Sequence, residues 1–392
     1  MRLFALYLAA DVWHFGDPGN YLTLARALSE GQGLALPGPV DPAWVPTASF
    51  PPVLPLLLAG VSSLVPLTAL TLAIVNSLFD IAAALLLARL ATQLGRRDLA
   101  VPLGLVYLVW PSIALMAPLA YKDGLAIALL LASLVAAIEQ ARRGGWRWAA
   151  LSGLAAGAVI LTQPAIAAFL PLAFLALAPC FDTRSQWFRT SLIAAGVALL
   201  VMLPWWVRNA FMFGQFIPLT TSSGLALWQG AHPGGGMQYQ LPPPEWAQAG
   251  EFAAARLARS AAWDIIASDP LGYLQRCLVK FPKKFFMANW AIDQLIFAKG
   301  QPWPELARSW WLRMAPTLAE AFVAVGAVAG LLLMPKSVPA RLIWASLAQI
   351  FLFGIWFEFG ERHRLFMTPF VLLMAASFVT REHRPPPALD RA

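Results

Sequence analysis

Seven apolar runs, each close to the roughly 20 residues that a bilayer-spanning helix needs, constrain this chain more than any motif: 69–90, 99–119, 124–141, 190–207, 314–334, 341–357 and 365–380. With 59% of its residues hydrophobic and 12% charged, the chain has too little polar surface for a water-soluble globule. The run at 149–179 is too long for one span and short for two, and Thr162-Gln163-Pro164 interrupts it halfway. Proline removes a helical hydrogen bond, so a hairpin of two short helices is expected there. Ahead of Asp11, Leu3 to Ala10 supply about half a span, too short an apolar core for a signal peptide. They read as a first span whose beginning is missing. The expected fold is all-α and polytopic, with about ten spans of which the first is incomplete.

Orientation follows from the basic residues in short loops, which stay on the cytoplasmic side. Arg96-Arg97, Arg142-Arg143 with Arg147, Arg184 with Arg189, Lys336 with Arg341, and Arg381 with Arg384 all fall on one face if the spans alternate. The opposite face receives residues 11–68, the turn Tyr121-Lys122-Asp123, the segment 208–312, and Glu358 to Arg364. Three parts result: a transmembrane module over 1–207 carrying the first outer loop (11–68), an external loop domain over 208–312, and C-terminal transmembrane helices over 313–392. Because much of the basic charge sets topology, the net +8 is no nucleic-acid signal. Cys180 and Cys277 fall on opposite faces and should not pair, and the four histidines show no metal-ligand spacing.

The outer loops carry their own helices. Asp17-Pro18 matches a helix N-cap and first position, Tyr21, Leu24, Ala25 and Leu28 form one apolar stripe, and Gly31 can close the end. Pro51-Pro52 opens an apolar stretch, Val53 to Val65, that is short for a span and belongs in the interface. In the external segment, Gly234-Gly235-Gly236 and Pro242-Pro243-Pro244 punctuate a mobile part. Asp269-Pro270 then starts a helix with Leu271, Leu274 and Leu278 on one side and Arg276, Lys280, Lys283 and Lys284 after them, a pattern suited to anionic lipid head groups.

Several short motifs occur in a suggestive order: Asp17 with Tyr21 and Ala25, Gly31-Gln32-Gly33, Pro51-Pro52, Lys122-Asp123, and Leu161-Thr162-Gln163-Pro164. Leu203-Pro204-Trp205-Trp206-Val207-Arg208-Asn209, Gly214, Gly224, Trp228-Gln229-Gly230 and Arg362-His363-Arg364 follow. Together they resemble glycosyltransferase family 39, the bacterial protein mannosyltransferase and aminoarabinose transferase-like enzymes of the GT-C fold. The resemblance covers nearly the whole chain, and the Pro-Trp-Trp-Val-Arg-Asn run is its strongest part. It implies a polyprenyl-phosphate sugar donor, inversion at the anomeric carbon, and a site on the outer face between the first two outer loops. Two departures stand out: the family usually has a full first span, and its C-terminal motif reads Arg-Tyr-Arg followed by proline where this chain has Arg362-His363-Arg364 and Pro369.

Nucleotide sugars are not available outside a bacterial inner membrane, so a transferase there needs a donor whose phosphate is anchored by lipid. Cations at the outer edge can hold that phosphate, and a carboxylate can take the acceptor's proton. Asp17 fits both a helix cap and this base. Asp123 beside Lys122 is either a solvated ion pair or a group that orients the acceptor; Asp17 and Asp123 are also the candidate ligands of a divalent metal ion, should one be used. Arg208 and Asn209 end a span beside two tryptophans and suit either an interface anchor or a phosphate ligand. Arg362 and Arg364, grouped with Glu361 and His363, go against the positive-inside bias and so point to phosphate. Tyr21, Lys122 and Lys280 complete the substrate-binding candidates. Asn76 and Asp80, one helical turn apart within a span, read as polar packing between helices.

The expected activity is transfer of a sugar from a polyprenyl-phosphate donor to a glycan, lipid or protein acceptor at the periplasmic or exterior face of a bacterial inner membrane. A transporter or flippase of lipid-linked saccharides would need the same grooves and charges, but the internal repeat common in transporters is not visible. A non-catalytic subunit of an envelope complex is a third class.

Overall fold

A computed structural model describes residues 1–9, 16–38, 41–234, 240–288, 290–297 and 310–380. Asp11, Gly235-Gly236, Arg381 and Arg384 lie outside the described residues. Four helices among those described are long and apolar enough to cross a membrane: Ala69–Gln93, Asp123–Arg143, Arg184–Phe213 and Met314–Leu333, the last within a helix that runs Trp310–Leu333. Shorter apolar helices, among them Phe169–Ala176, Val338–Gln349 and Thr368–Val379, fill the rest of the bundle.

Asp123–Arg143 is the most buried of the four and packs against Ala69–Gln93 on one side and Trp146–Ile160 on the other. Ser133 and Ser152 seal the second contact, each hydroxyl donating to the other's carbonyl at 3.0 and 2.8 Å. Trp146–Ile160 in turn lies close along Arg184–Phe213 through Gly153 and Gly157, a small-xxx-small pair. A Cβ at Gly157 would come within 2.7 Å of Val201 Cβ, so only glycine permits this approach.

Thr162-Gln163-Pro164 reverses the chain between Trp146–Ile160 and Phe169–Ala176, as the proline led us to expect. The second arm of that hairpin packs mainly on Val338–Gln349. The segment expected to span at 99–119 is instead broken into Arg97–Leu108 and the single turn Pro111–Ala114. Pro111 disfavours helical geometry at the residue before it, and Trp110 is extended, at φ −61° and ψ 127°. The spans expected at 341–357 and 365–380 are likewise shorter α-helices, continued by a π-turn over Ile350–Gly354 and preceded by a 3-10 helix over Glu361–Met367. Residues Arg2–Ala9 form a helix whose Arg2 pairs with Asp80 at 2.8 Å, so Asp80 is an ion-pair partner as well as a packing group.

The two faces assigned from basic residues are gathered separately by the packing. At one end Arg96 donates to the Ser377 carbonyl, Gln186 to that of Ala141 and Trp187 to that of Phe174. At the other, the first outer loop folds as the helix Gly16–Ser29, an antiparallel two-stranded ribbon pairing Ala35–Pro37 with Trp44–Pro46, and the helix Val53–Ser62. The ribbon was not foreseen. Gly31, at φ +75°, closes the first helix as expected: its own N–H reaches the Leu28 carbonyl and that of Gln32 the Ala27 carbonyl. Val53–Ser62 packs on Gly16–Ser29, which matches a surface pair more than a span. Glu251, opening the helix Glu251–Ser268, fastens the external segment to this loop by accepting from Thr47 Oγ1, the Ala48 N–H and Thr221 Oγ1. Asp269 caps Pro270–Phe286 by accepting from the Gly272 N–H at 2.9 Å, as its sequence signature indicates.

Candidate active site

Asp17 and Arg362 meet at one end of the bundle, Arg362 Nη2 donating to Asp17 Oδ2 at 3.0 Å. Gly16 has a φ of +61°, natural only for glycine; the helix Gly16–Ser29 begins there, one residue ahead of Asp17, which therefore lies in its first turn rather than at the expected cap position. Its carboxylate turns to Arg362 instead. Burial raises the Asp17 pKa, but the charges of Arg362 and Lys122 outweigh it and hold the carboxyl below its ordinary value. Asp17 is therefore ionised at neutral pH.

Two aromatic rings hold Arg362. Its guanidinium lies 4.6 Å from the centre of Tyr121 and 4.8 Å from that of Trp290, within cation–π range, and the two rings meet edge to face at 4.9 Å. Lys122 adds a second cation, its Nζ 5.7 Å from the Tyr21 ring centre. Tyr21 is fully buried against Phe50, and its hydroxyl has no hydrogen-bond partner among the described residues. Asp123 is buried at the start of the central span; Gln163 Nε2 approaches its Oδ1 at 3.5 Å, and its Oδ2 has no partner among the described residues. It lines a small cleft with Asn76, Asp80, Tyr121 and Gly124. Asn76 is spent on structure, donating to the Ala117 and Leu119 carbonyls at 2.8 Å. His363 accepts from the Gly360 N–H at 3.0 Å, and burial with the nearby Arg362 and Lys122 charges pushes it down to about 3, so it is neutral.

Asp17, Tyr21, Lys122, Asp123 and Arg362 thus converge from three distant segments. The other sequence candidates are placed elsewhere. Arg208 donates to the Thr47 and Leu34 carbonyls at 2.8 and 3.0 Å and to Asn209 Oδ1, which ties the end of Arg184–Phe213 to the first outer loop. Lys280 is buried and donates to the Phe357 carbonyl at 2.9 Å, bracing the segment that leads to Arg362. Arg364, two residues beyond Arg362, turns inward to Glu320 at 3.2 Å and to the Met287 carbonyl at 2.9 Å. Glu320 also accepts from Trp110 Nε1 and Ser112 Oγ at 2.8 and 2.7 Å.

Sequence reasoning missed Trp290 and undervalued Tyr121, whose neighbours Lys122 and Asp123 were its only signal. It also missed Glu320, although a lone acid within an apolar run is a strong signal. As for a metal, the described residues contain no group of three or more His, Cys, Asp or Glu suited to one. Asp17 is engaged by a guanidinium, and two carboxylates beside two cations do not make a divalent-cation site.

No protein-family model matches the sequence, and no curated protein matches it. Solved structures do share the fold. The apo oligosaccharyltransferase of Archaeoglobus fulgidus aligns with 97% of this chain and 50% of its own, at TM-score 0.55 and 13% identity. The same organism's oligosaccharyltransferase AglB, in complex with an inhibitory peptide and a dolichol-phosphate, aligns with 97% of this chain and 50% of its own, at TM-score 0.54 and 12% identity. ArnT from Cupriavidus metallidurans bound to undecaprenyl phosphate aligns with 97% of this chain and 76% of its own, at TM-score 0.47 and 16% identity. The chain spans about half the length of the oligosaccharyltransferase it matches. Its fold is that of an all-α polytopic membrane protein of the GT-C type.

Proposed function

We propose that this GT-C protein is an inverting glycosyltransferase that moves a sugar from a polyprenyl-phosphate donor to an acceptor hydroxyl at the outer face of a bacterial inner membrane. The observation that carries this reading is the Asp17–Arg362 pair beside Lys122 and Asp123, a partly open cluster of two cations and two carboxylates at one end of an apolar bundle. One protein of the same fold has been solved with dolichol-phosphate, which supports a lipid-phosphate ligand.

Each residue then has a chemical task. Arg362 and Lys122 neutralise the donor's phosphodiester and the second charge that appears on it as the sugar leaves. Asp17 accepts the proton of the acceptor hydroxyl while the new C–O bond forms opposite the breaking one, which inverts the anomeric carbon. Asp123, with one carboxylate oxygen unpartnered, orients the acceptor, and Tyr21 forms the floor beneath Lys122. Arg208 with Asn209, Lys280 and Arg364 hold the loops that bring these groups together, through the contacts described above. The acceptor is a glycan, lipid or protein hydroxyl.

Purified protein in lipid should consume polyprenyl-phosphate sugar and release polyprenyl phosphate when the right acceptor is present. Movement of the lipid between leaflets without release would instead support a flippase. Mass spectrometry of envelope glycans and lipids from a deletion strain identifies the sugar and acceptor.

A further inference from the structure

We infer that Arg362 is shared in turn between Asp17 and the donor's phosphate, so that donor binding frees Asp17 to act as base and the re-formed Asp17–Arg362 pair helps expel the product. The inference rests on the function proposed above and adds the order of events within that site.

The first observation is that Asp17 and Arg362 do not depend on each other for position. Arg362 is clamped by Tyr121 and Trp290, and Asp17 is fixed by the helix Gly16–Ser29, whose Tyr21, Leu24 and Ala25 are fully buried. Separating the pair therefore moves neither backbone. The second is that the pair is more open to solvent than its neighbour: one described hydrogen bond joins it, and its side chains are 35% exposed for Asp17 and 16% for Arg362. Arg364 and Glu320, by contrast, are 5% and 11% exposed and held by additional hydrogen bonds from both sides. An arginine has five N–H donors, and only one of those on Arg362 is described as bonded. An arriving phosphate oxygen thus meets a fixed guanidinium whose one described hydrogen bond goes to a partly open carboxylate, with the charges of Asp123 and Glu358 also nearby.

Charge accounting gives the exchange its direction. The donor phosphodiester carries one negative charge, and Asp17 one. As the acceptor oxygen bonds to the anomeric carbon, the C–O bond to phosphate breaks and its electron pair stays on the phosphate, which becomes a doubly charged monoester. The acceptor's proton moves to Asp17, which becomes neutral. Total charge around Arg362 is unchanged, but it has shifted from Asp17 to the phosphate, where Arg362 and Lys122 stabilise it. A carboxylate paired with arginine is a weak base, and losing that partner to phosphate strengthens it. When Asp17 later returns its proton to water, it competes again for Arg362 and weakens the hold on polyprenyl phosphate.

Competition has a signature that neither a simple base nor a simple structural pair shares. Binding of undecaprenyl phosphate to the full chain in lipid nanodiscs should be about three- to tenfold tighter for Asp17→Asn than for wild type, since the amide does not compete. Arg362→Ala should weaken binding, and the double variant should bind as Arg362→Ala does, so the gain vanishes with the shared cation. Asp17→Ser serves as a second competitor-free variant if the amide folds poorly. Unchanged or weaker binding by these folded Asp17 variants overturns the inference, while turnover and lipid binding by wild type leave the proposed function standing. A wild-type protein that neither binds undecaprenyl phosphate nor consumes donor overturns both.

Discussion

Arg362 and Arg364 are two residues apart, yet replacing each with alanine should produce opposite losses. Arg364 and Glu320 are 5% and 11% exposed, and Glu320 is further fixed by Trp110 and Ser112. Removing Arg364 strands a carboxylate in a nearly dry interior, a change that typically costs about 3–5 kcal/mol. It also frees the Met287 carbonyl. Arg362 pairs with a carboxylate that is 35% exposed, so water can solvate that charge when the arginine is removed, and its two ring contacts add about 0.5–1 kcal/mol each. Arg364→Ala should therefore lower the unfolding temperature in detergent much more than Arg362→Ala, while the fraction of Arg364→Ala that folds keeps most of its turnover. Arg362→Ala should be folded and inactive. Because the Arg364 penalty comes from an abandoned charge, Arg364→Met combined with Glu320→Gln should recover part of the lost stability. Equal unfolding temperatures for the two alanine variants would refute this division of labour, as would no recovery in the double variant.

Asp17→Asn should cut transfer by about 10²–10⁴-fold at saturating donor, with an unfolding temperature near that of wild type, because the amide keeps the shape of the side chain and an oxygen for Arg362 to donate to; turnover above about a tenth of wild type would place the base elsewhere. Gly157→Ala should destabilise the protein by about 1–3 kcal/mol in thermal unfolding, since the added methyl would lie 2.7 Å from Val201 Cβ and 2.9 Å from the Ala198 carbonyl oxygen. His363 has its pKa lowered from 6.5 to about 3, so the folded state resists its protonation: its contribution is complete above pH 6.5 and is lost as pH falls from there toward 3. His363→Gln should then retain more of its neutral-pH stability at pH 5 than wild type does, measured by unfolding temperature across pH.

What the sequence disclosed was whatever is governed by neighbours along the chain. Apolar run length marked the four span-length helices, Asp269-Pro270 marked a capped helix start, and Gly31 marked a helix end, because each depends on a few adjacent residues. Basic clusters predict two faces for the loops, an expectation that rests on charge alone. The break at Trp110 escaped because hydrophobicity continues unbroken across it, while the conformation is decided by Pro111.

The candidate site was legible only in part, for a geometrical reason. Arg362-His363-Arg364 looked like one cationic group, but these residues form a 3-10 helix of about three residues per turn, which turns residues two apart to different sides. Arg362 faces the open pair with Asp17 and Arg364 the buried one with Glu320. Trp290 gave no signal at all, since its role exists only where three segments remote in sequence meet around one guanidinium. Exposure then separates the two arginines where composition could not. A guanidinium committed to a buried carboxylate that is itself fixed by two further donors gives up that partner at high cost, whereas a fixed guanidinium whose described hydrogen-bond partner is partly exposed can exchange it for a phosphate oxygen.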